Sequence, residues 1–295
     1  MNKIKKEKNM KYITLNNGVK MPKLGYGVYQ VTPEECVRCV EDALRVGYRL
    51  IDTAQSYDNE YEVGKAIQQS GVPRQHIFLT TKIWMANSGY EKACQSIDDS
   101  LRRLQTDYID LMLIHQPFGD YYGTYRAMED AYKAGKLRAI GVSNFFGDRL
   151  VDLCHTVEVM PAVDQVETHI FHQQQQLSTI MKRYGVVHEA WGPFAEGRKN
   201  FFINPALQKI ATVHHKTTAQ IALRFLLQKD IVVIPKSVHC ERMIQNLDVF
   251  DFSLTAEEMQ RLKRFDSDDS AFFSHYDPDM VESFYRLSEV RNLRI

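Results

Sequence analysis

Asp52, Tyr57, Lys82 and His115 are four side chains of the 295-residue sequence that together could move a proton onto an oxygen. The run Asp52-Thr53-Ala54-Gln55-Ser56-Tyr57 puts a carboxylate and a phenol in one short stretch. An ammonium such as Lys82 beside that phenol would favour phenolate and lower the tyrosine pKa from about 10. Asp52 would hold Lys82 charged and oriented. The trio makes Tyr57 a candidate general acid near neutral pH. The same three residues fit equally well a buried Asp–Lys pair with a tyrosine packed nearby. His115, in Leu113-Ile114-His115-Gln116-Pro117, tips the balance, because an imidazole aimed at the same point can donate to a substrate oxygen. A single histidine at a strand end, taken alone, is more often a satisfied polar residue.

These groups meet only if the elements between them bring them to one place. Short β-rich apolar runs alternate with longer helical patterns. The candidate strands are Leu24–Tyr29, Arg49–Thr53, Ile77–Lys82, Tyr108–His115, Arg138–Ser143, Ala162–Glu167, Val186–Trp191 and Ile231–Lys236, each followed by a helical stretch. Alternation of this kind implies parallel strands with right-handed crossovers. Eight units in one chain imply a closed (β/α)8 TIM barrel. Upstream, Ile13–Leu15, Asn17-Gly18 and Val19–Met21 read as a β-hairpin with a type I′ turn, which would cap the bottom of the barrel. Thr32-Pro33-Glu34-Glu35, Thr217 to Gln220 and Thr255 to Glu258 read as capping boxes, and Asn204-Pro205 as a cap followed by proline. After about Phe252 a helix and then an irregular, aromatic tail are expected. A barrel active site lies where the strands end. Here the ends carry Tyr29, Asp52, Lys82, His115, Ser143-Asn144, Gln165, Trp191 and Lys236-Ser237. So many chemically competent groups at one mouth argue for catalysis or binding.

Composition bounds the rest. Lys+Arg and Asp+Glu are 37 each, so the formal net charge is zero, which argues against a nucleic-acid partner. No apolar run approaches the roughly 18 residues of a membrane span. Five cysteines are an odd, sparse count that fits a reducing cytoplasm better than a disulfide framework. Residues 1–10 read as a disordered basic tail, and 11–295 as one barrel domain.

On these motifs the chain resembles the aldo-keto reductases, from about Ile13 to about Phe273. The carrying stretches are Gly47 to Ala54, Tyr57 to Gly64, Leu113 to Pro117, Gly141-Val142-Ser143-Asn144-Phe145 and Ile234-Pro235-Lys236-Ser237. The closest subgroup resembles prokaryotic-type reductases of diketo acids and methylglyoxal. The resemblance implies a catalytic tetrad of Asp52, Tyr57, Lys82 and His115 and hydride transfer from NADP(H) to an aldehyde or ketone. It implies that Ser143, Asn144 and Gln165 bind the nicotinamide carboxamide while Trp191 stacks on the ring. Gly192, Phe194, Val238, Gln245 and Asn246 would line the rest of the cofactor, with Lys236, Ser237 and Arg242 on its 2′-phosphate. Tyr29, Trp84 and His115 would face the substrate. No G-x-G-x-x-G appears after the first strand, the sequence having only Gly25-Tyr26-Gly27, so a Rossmann-type site is not expected. The chain departs from the family pattern at Asp164, where Asn is usual, at Ile170 for Pro, at Gly192 for a small hydroxyl residue, and at Gln245 for Glu. None of these touches the tetrad.

Other signals carry less. Cys36-Val37-Arg38-Cys39 lies inside a helix with no second pair, so both thiols are expected to pack on the barrel. His214-His215 and His169/His172 lack partners at metal spacing, and no metal is expected. Tyr121-Tyr122 and Phe201-Phe202 fit channel lining and loop packing equally. Phe272, Phe273 and Tyr276 are expected to contact substrate. The expected whole is a cytoplasmic, monomeric NADPH-dependent reductase acting on a small-molecule carbonyl, with no nucleic-acid or membrane partner. An alternative is a catalytically weak NADP(H)-binding sensor on the same fold. A phosphate-handling isomerase is a more distant one.

Overall fold

Strand alternation decides what reaches the centre of this protein. The computed structural model describes residues 10–292; most of the N-terminal segment expected to be disordered lies outside them. Among the described residues ten strands run in chain order: β1 Tyr12–Thr14, β2 Lys20–Pro22, β3 Tyr26–Gly27, β4 Leu50–Asp52, β5 Phe78–Ile83, β6 Leu111–Ile114, β7 Ile140–Ser143, β8 Val163–Glu167, β9 Val187–Trp191 and β10 Val232–Val233. Strands β3 to β10 pair in parallel, each with its sequence neighbour. The seam is closed by Gly25 N–H donating to Val233 O at 2.8 Å and Val233 N–H donating to Lys23 O at 3.0 Å. This is the expected (β/α)8 barrel. β3 and β10, at the seam, are shorter than the apolar runs that suggested them. The backbones approach closely there: a Cβ at Gly27 would lie 3.1 Å from Ile234 O.

Side chains alternate between the barrel interior and the helix layer with period two. Leu50, Phe78, Leu111, Leu113, Val163, Val187 and Val232 form an inner apolar cluster with Leu15 and Met21 of the hairpin region. The hairpin therefore plugs the bottom, where Asn16 and Asn17 amides donate to Pro161 O and Arg138 O. Its turn is not type I′. Gly18 N–H donates to Leu15 O, and Leu15 still pairs with Val19. Among the loop residues only Gly18 has a positive φ, +86°. This is a three-residue loop of a type I turn and a glycine bulge, which asks one residue rather than two to adopt the left-handed region.

The helices pack outside. Thr217 with Gln220 and Thr255 with Glu258 form the expected capping boxes, and Asn204 accepts from Ala206 and Leu207 N–H ahead of Pro205. Thr32 sits at its cap position with Pro33 next, but its side chain accepts no hydrogen bond from the helix Pro33–Val46. Cys36 and Cys39 are buried on that helix, as expected. The irregular tail is only half as expected. After the helix Ala256–Lys263 the chain wanders to Asp277, then forms a further helix, Pro278–Asn292. The signal for it was Asp277-Pro278, where Asp277 Oδ1 accepts from Asp279 N–H. Among the described residues no helix is long and apolar enough to cross a membrane.

Candidate active site

Two residues beyond the apolar layer the interior turns polar. Asp52 follows Leu50, Gln165 follows Val163 and Glu189 follows Val187, all pointing inward by the same alternation. Lys82 lies four residues past Phe78 and is completely buried. Its Nζ donates to Asp52 Oδ1 at 2.6 Å, to Thr53 O at 3.0 Å and to the Tyr57 hydroxyl at 3.4 Å. Tyr57 ends a single 3-10 turn, Gln55–Tyr57, that lifts the phenol over the strand end. His115 follows β6, its N–H bonded to Ile83 O. Its ring lies 5.6 Å from that of Tyr57, and Ser56 Oγ lies 3.2 Å from its Nδ1. The four side chains singled out in the sequence thus meet in one cluster. Tyr29 stands 5.1 Å from the Tyr57 ring, and Trp84 5.4 Å from His115.

The electrostatics differ from the simple expectation. Burial raises the Tyr57 phenol to about 12, aided by the Asp52 charge, and the neighbouring Lys82 only partly offsets it. Lys82 itself is raised above its ordinary value, since Asp52 and its other neighbours outweigh the opposing effect of burial. The ammonium beside the phenol is real, but desolvation of the phenolate is the larger effect.

Beside this cluster, Asn144 adopts the left-handed region at φ 64°. Its Nδ2 donates to His115 O at 3.1 Å, and its Oδ1 accepts from Trp191 Nε1 at 2.9 Å. A side chain that holds two neighbouring loops helps sustain that backbone strain. Ser143 Oγ donates to Gln165 O. Gln165 Nε2 donates to both Asp52 Oδ2 and Glu189 Oε2. Gly192 has φ +62°, and a Cβ there would press on Phe272 at 3.3 Å. Phe194 packs on Phe201 and Phe202, which places that aromatic pair in loop packing.

Around the seam a second cluster forms. Lys236 is exposed and Ser237 buried just past β10, with Ser237 Oγ accepting from His239 N–H. The helix Cys240–Leu247 begins where expected and carries Arg242, Gln245 and the buried Asn246. Val238 is half-buried before it, and its carbonyl accepts from Arg38.

The tail folds over the mouth. Glu167 accepts from Ser270 Oγ and Ala271 N–H and so ties the tail to the end of β8. Phe272 and Phe273 then lie 5.2 and 6.4 Å from Trp191. Tyr276 instead turns outward, 67% exposed, and His275 is the residue that enters, its Nε2 2.7 Å from Gln116 Oε1. A cavity of about 600 Å³ opens between Trp191, Phe273, His275 and the Gln174 to Leu177 segment. Glu189, Phe118, His275 and Phe284 are not among the residues that the sequence singles out. Nothing in their local spacing separates them from ordinary strand, loop or helix residues.

A parallel barrel whose mouth holds a carboxylate, an ammonium, a phenol and an imidazole is a scaffold for proton-coupled chemistry on a small molecule. The aldo/keto reductase family model matches residues 17–267. Morphine 6-dehydrogenase of Pseudomonas putida is 44% identical over 269 residues, covering 86% of this chain and 91% of that one. Glyoxal reductase of Bacillus subtilis is 44% identical over 259 residues, covering 87% and 93%. Among solved structures, an aldo-keto reductase from a Medee basin deep-sea metagenome library superimposes with a TM-score of 0.88 at 42% identity, covering 90% of this chain and 98% of that one. A Bombyx mori aldo-keto reductase in complex with NADP gives 0.86 at 31%, covering 90% and 95%. The chain belongs to the aldo/keto reductase family.

Proposed function

We propose that this protein reduces an aldehyde or ketone of a small substrate with NADPH, using Tyr57 as the general acid. The observation that carries the reading is Lys82 Nζ, hydrogen-bonded at once to Asp52 and to the Tyr57 hydroxyl, with His115 against the same phenol.

The residues present fit the dinucleotide. Among the described residues Lys236 and Arg242 are exposed cations with no acid partner, placed at a strand end and in the first turn of a helix. Gln165 Nε2 makes two hydrogen bonds, while its Oε1 makes none among the described residues. Lys236, Ser237 and Arg242 would hold the 2′-phosphate, with Val238, Gln245 and Asn246 at the adenosine end. Gly192 and Phe194 would line the middle, Trp191 would cover the nicotinamide face, and Ser143, Asn144 and Gln165 would take its carboxamide. When bound, NADPH supplies the hydride.

The chain's own groups manage the proton. Tyr57 Oη donates to the carbonyl oxygen as that oxygen becomes an alkoxide. With its phenol raised to about 12, Tyr57 is fully protonated at neutral pH and gives up its proton only to a stronger base. Lys82 stabilises the phenolate left behind, and Asp52 keeps Lys82 charged. His115 orients the carbonyl, and Tyr29 and Trp84 wall the substrate. All these side chains come from one chain, so a monomer suffices, and its five free cysteines fit a reducing cytoplasm.

Tyr57→Phe keeps the ring and removes the proton donor. General acid catalysis contributes roughly 10²–10⁴-fold, so turnover of a carbonyl panel should fall at least a hundredfold. NADPH affinity, read by cofactor fluorescence, should hardly change. A Phe variant that keeps most of its turnover while chemistry limits the rate would remove Tyr57 from this role.

A further inference from the structure

Glu189 has no part in the proton chemistry above, yet its side chain is completely buried in the polar layer of the barrel. Its Oε2 accepts from Gln165 Nε2 at 2.9 Å, and the same nitrogen donates to Asp52 Oδ2 at 3.0 Å. An amide nitrogen carries two hydrogens, so both are committed to carboxyl oxygens. Turning the amide over would put its oxygen against Asp52, whose partner Lys82 keeps it in ion-paired form. The amide oxygen must therefore face away from both carboxyls. Glu189 Oε1 has no hydrogen-bond partner among the described residues. Burial and the nearby Asp52 charge push this carboxyl up to about 8. A buried acid in that condition costs folding stability at neutral pH, because the unfolded chain would ionise it freely. An apolar residue would pack there more cheaply.

We propose that Glu189 is a positioning residue that, together with Asp52, clamps the Gln165 amide so that its oxygen is presented to the carboxamide N–H2 of the nicotinamide. The inference rests on the assignment of Gln165 to that carboxamide. It separates two functions at one residue. Glu189 aims a cofactor contact, and it does so at the expense of the fold.

Three variants and two ligands test it. Glu189→Leu removes the acceptor and the buried acid together. It should bind NADPH about twofold to tenfold more weakly, the loss expected for one hydrogen bond. Its affinity for 2′,5′-ADP, which has the phosphates but no nicotinamide, should stay unchanged, and its thermal stability should hold or rise. Glu189→Gln still offers an acceptor oxygen and should restore NADPH binding. Gln165→Leu should weaken NADPH at least as much as Glu189→Leu and spare 2′,5′-ADP. Wild-type NADPH affinity in Glu189→Leu, an equal loss for both ligands, or a failure of Glu189→Gln to rescue would each overturn the proposal. If Gln165→Leu has no effect, the carboxamide assignment falls, and the role of Glu189 with it. If Gln165→Leu weakens binding and Glu189→Leu does not, only the role of Glu189 falls. One measurement needs no variant. In the unaltered apo protein the Gln165 side-chain amide should exchange with deuterated solvent far more slowly than surface glutamine amides, and fast exchange would overturn the clamp.

Discussion

At the scale of single residues, placement and charge state are separate questions. Tyr57, Lys82 and Asp52 stand where the sequence suggests, but the phenol is raised rather than lowered. The desolvation of a phenolate exceeds what one ammonium returns when that ammonium is already paired with Asp52. Arg242 poses the opposite case, a charge in water with no partner among the described residues. NADH lacks the phosphate that Lys236 and Arg242 would grip. A charge-assisted hydrogen bond contributes about 1.5–3 kcal/mol. Arg242→Ala should thus weaken NADPH roughly tenfold to a hundredfold and leave NADH nearly untouched. The salt dependence of NADPH binding should shrink as well. Equal losses for the two cofactors, measured by fluorescence titration, would show that Arg242 does not read the 2′-phosphate.

At the scale of the element, β8 shows how one strand serves two faces. Gln165 points into the barrel, and its neighbour Asp164 points into the helix layer, fully buried. Asp164 stands where the family pattern has Asn. Among the described residues its two oxygens make no hydrogen bond of good geometry. Burial raises its pKa well above the usual carboxylate range, against a weak pull from the Phe145 backbone N–H. The sign for stability follows. The unfolded chain releases this proton near pH 3.9, while the folded chain keeps it. Stability is therefore lost progressively as pH rises from about 4 toward the raised folded value. Asp164→Asn keeps the shape and cannot ionise. It should raise Tm by at least about 3 °C at pH 8, with the gain fading as the pH approaches 4. A difference between variant and parent that does not depend on pH would mean that Asp164 is not held protonated.

At the scale of the whole molecule, the C-terminal segment completes the mouth. The family model ends at residue 267, and the helix Pro278–Asn292 lies beyond it. Phe284 of that helix is buried against Trp84, Phe118 and Phe273, with ring centroids 6.3, 5.7 and 5.4 Å away. Trp84 in turn faces His115. The helix thereby backs the wall that a substrate would meet, while the seam cluster at Lys236 and Arg242 belongs to other elements. Phe284→Ala should lower KM for bulky aromatic aldehydes several-fold relative to small ones, with NADPH affinity unchanged. A steady-state panel of aldehydes of increasing size reads this directly, and an unshifted size preference would leave the helix with a purely structural part.

Much of this protein was legible in its residues alone. Strand–helix alternation and helix caps are local properties, so the eight parallel units and the polar groups at their ends, Asp52, Lys82 and Gln165 among them, follow from spacing. The helix Pro278–Asn292 was not expected: Asp277-Pro278 carries a start signal for it, but the aromatic content reads as an irregular tail. The hairpin turn departed because Asn17-Gly18 suits two turn types, and pairing of Leu15 with Val19 selects between them. What only the tertiary structure decided is what faces what, and how dry the place is. Glu189 in a strand run looks like any strand residue; it becomes part of a site when barrel closure sets it against Gln165, which Asp52 grips from the other side. His275 and Phe284 acquire meaning only when the tail folds over the mouth. The charge states of Tyr57, Asp164 and Glu189 depend on burial. Burial is a property of all the neighbours at once, and no spacing along a chain contains it.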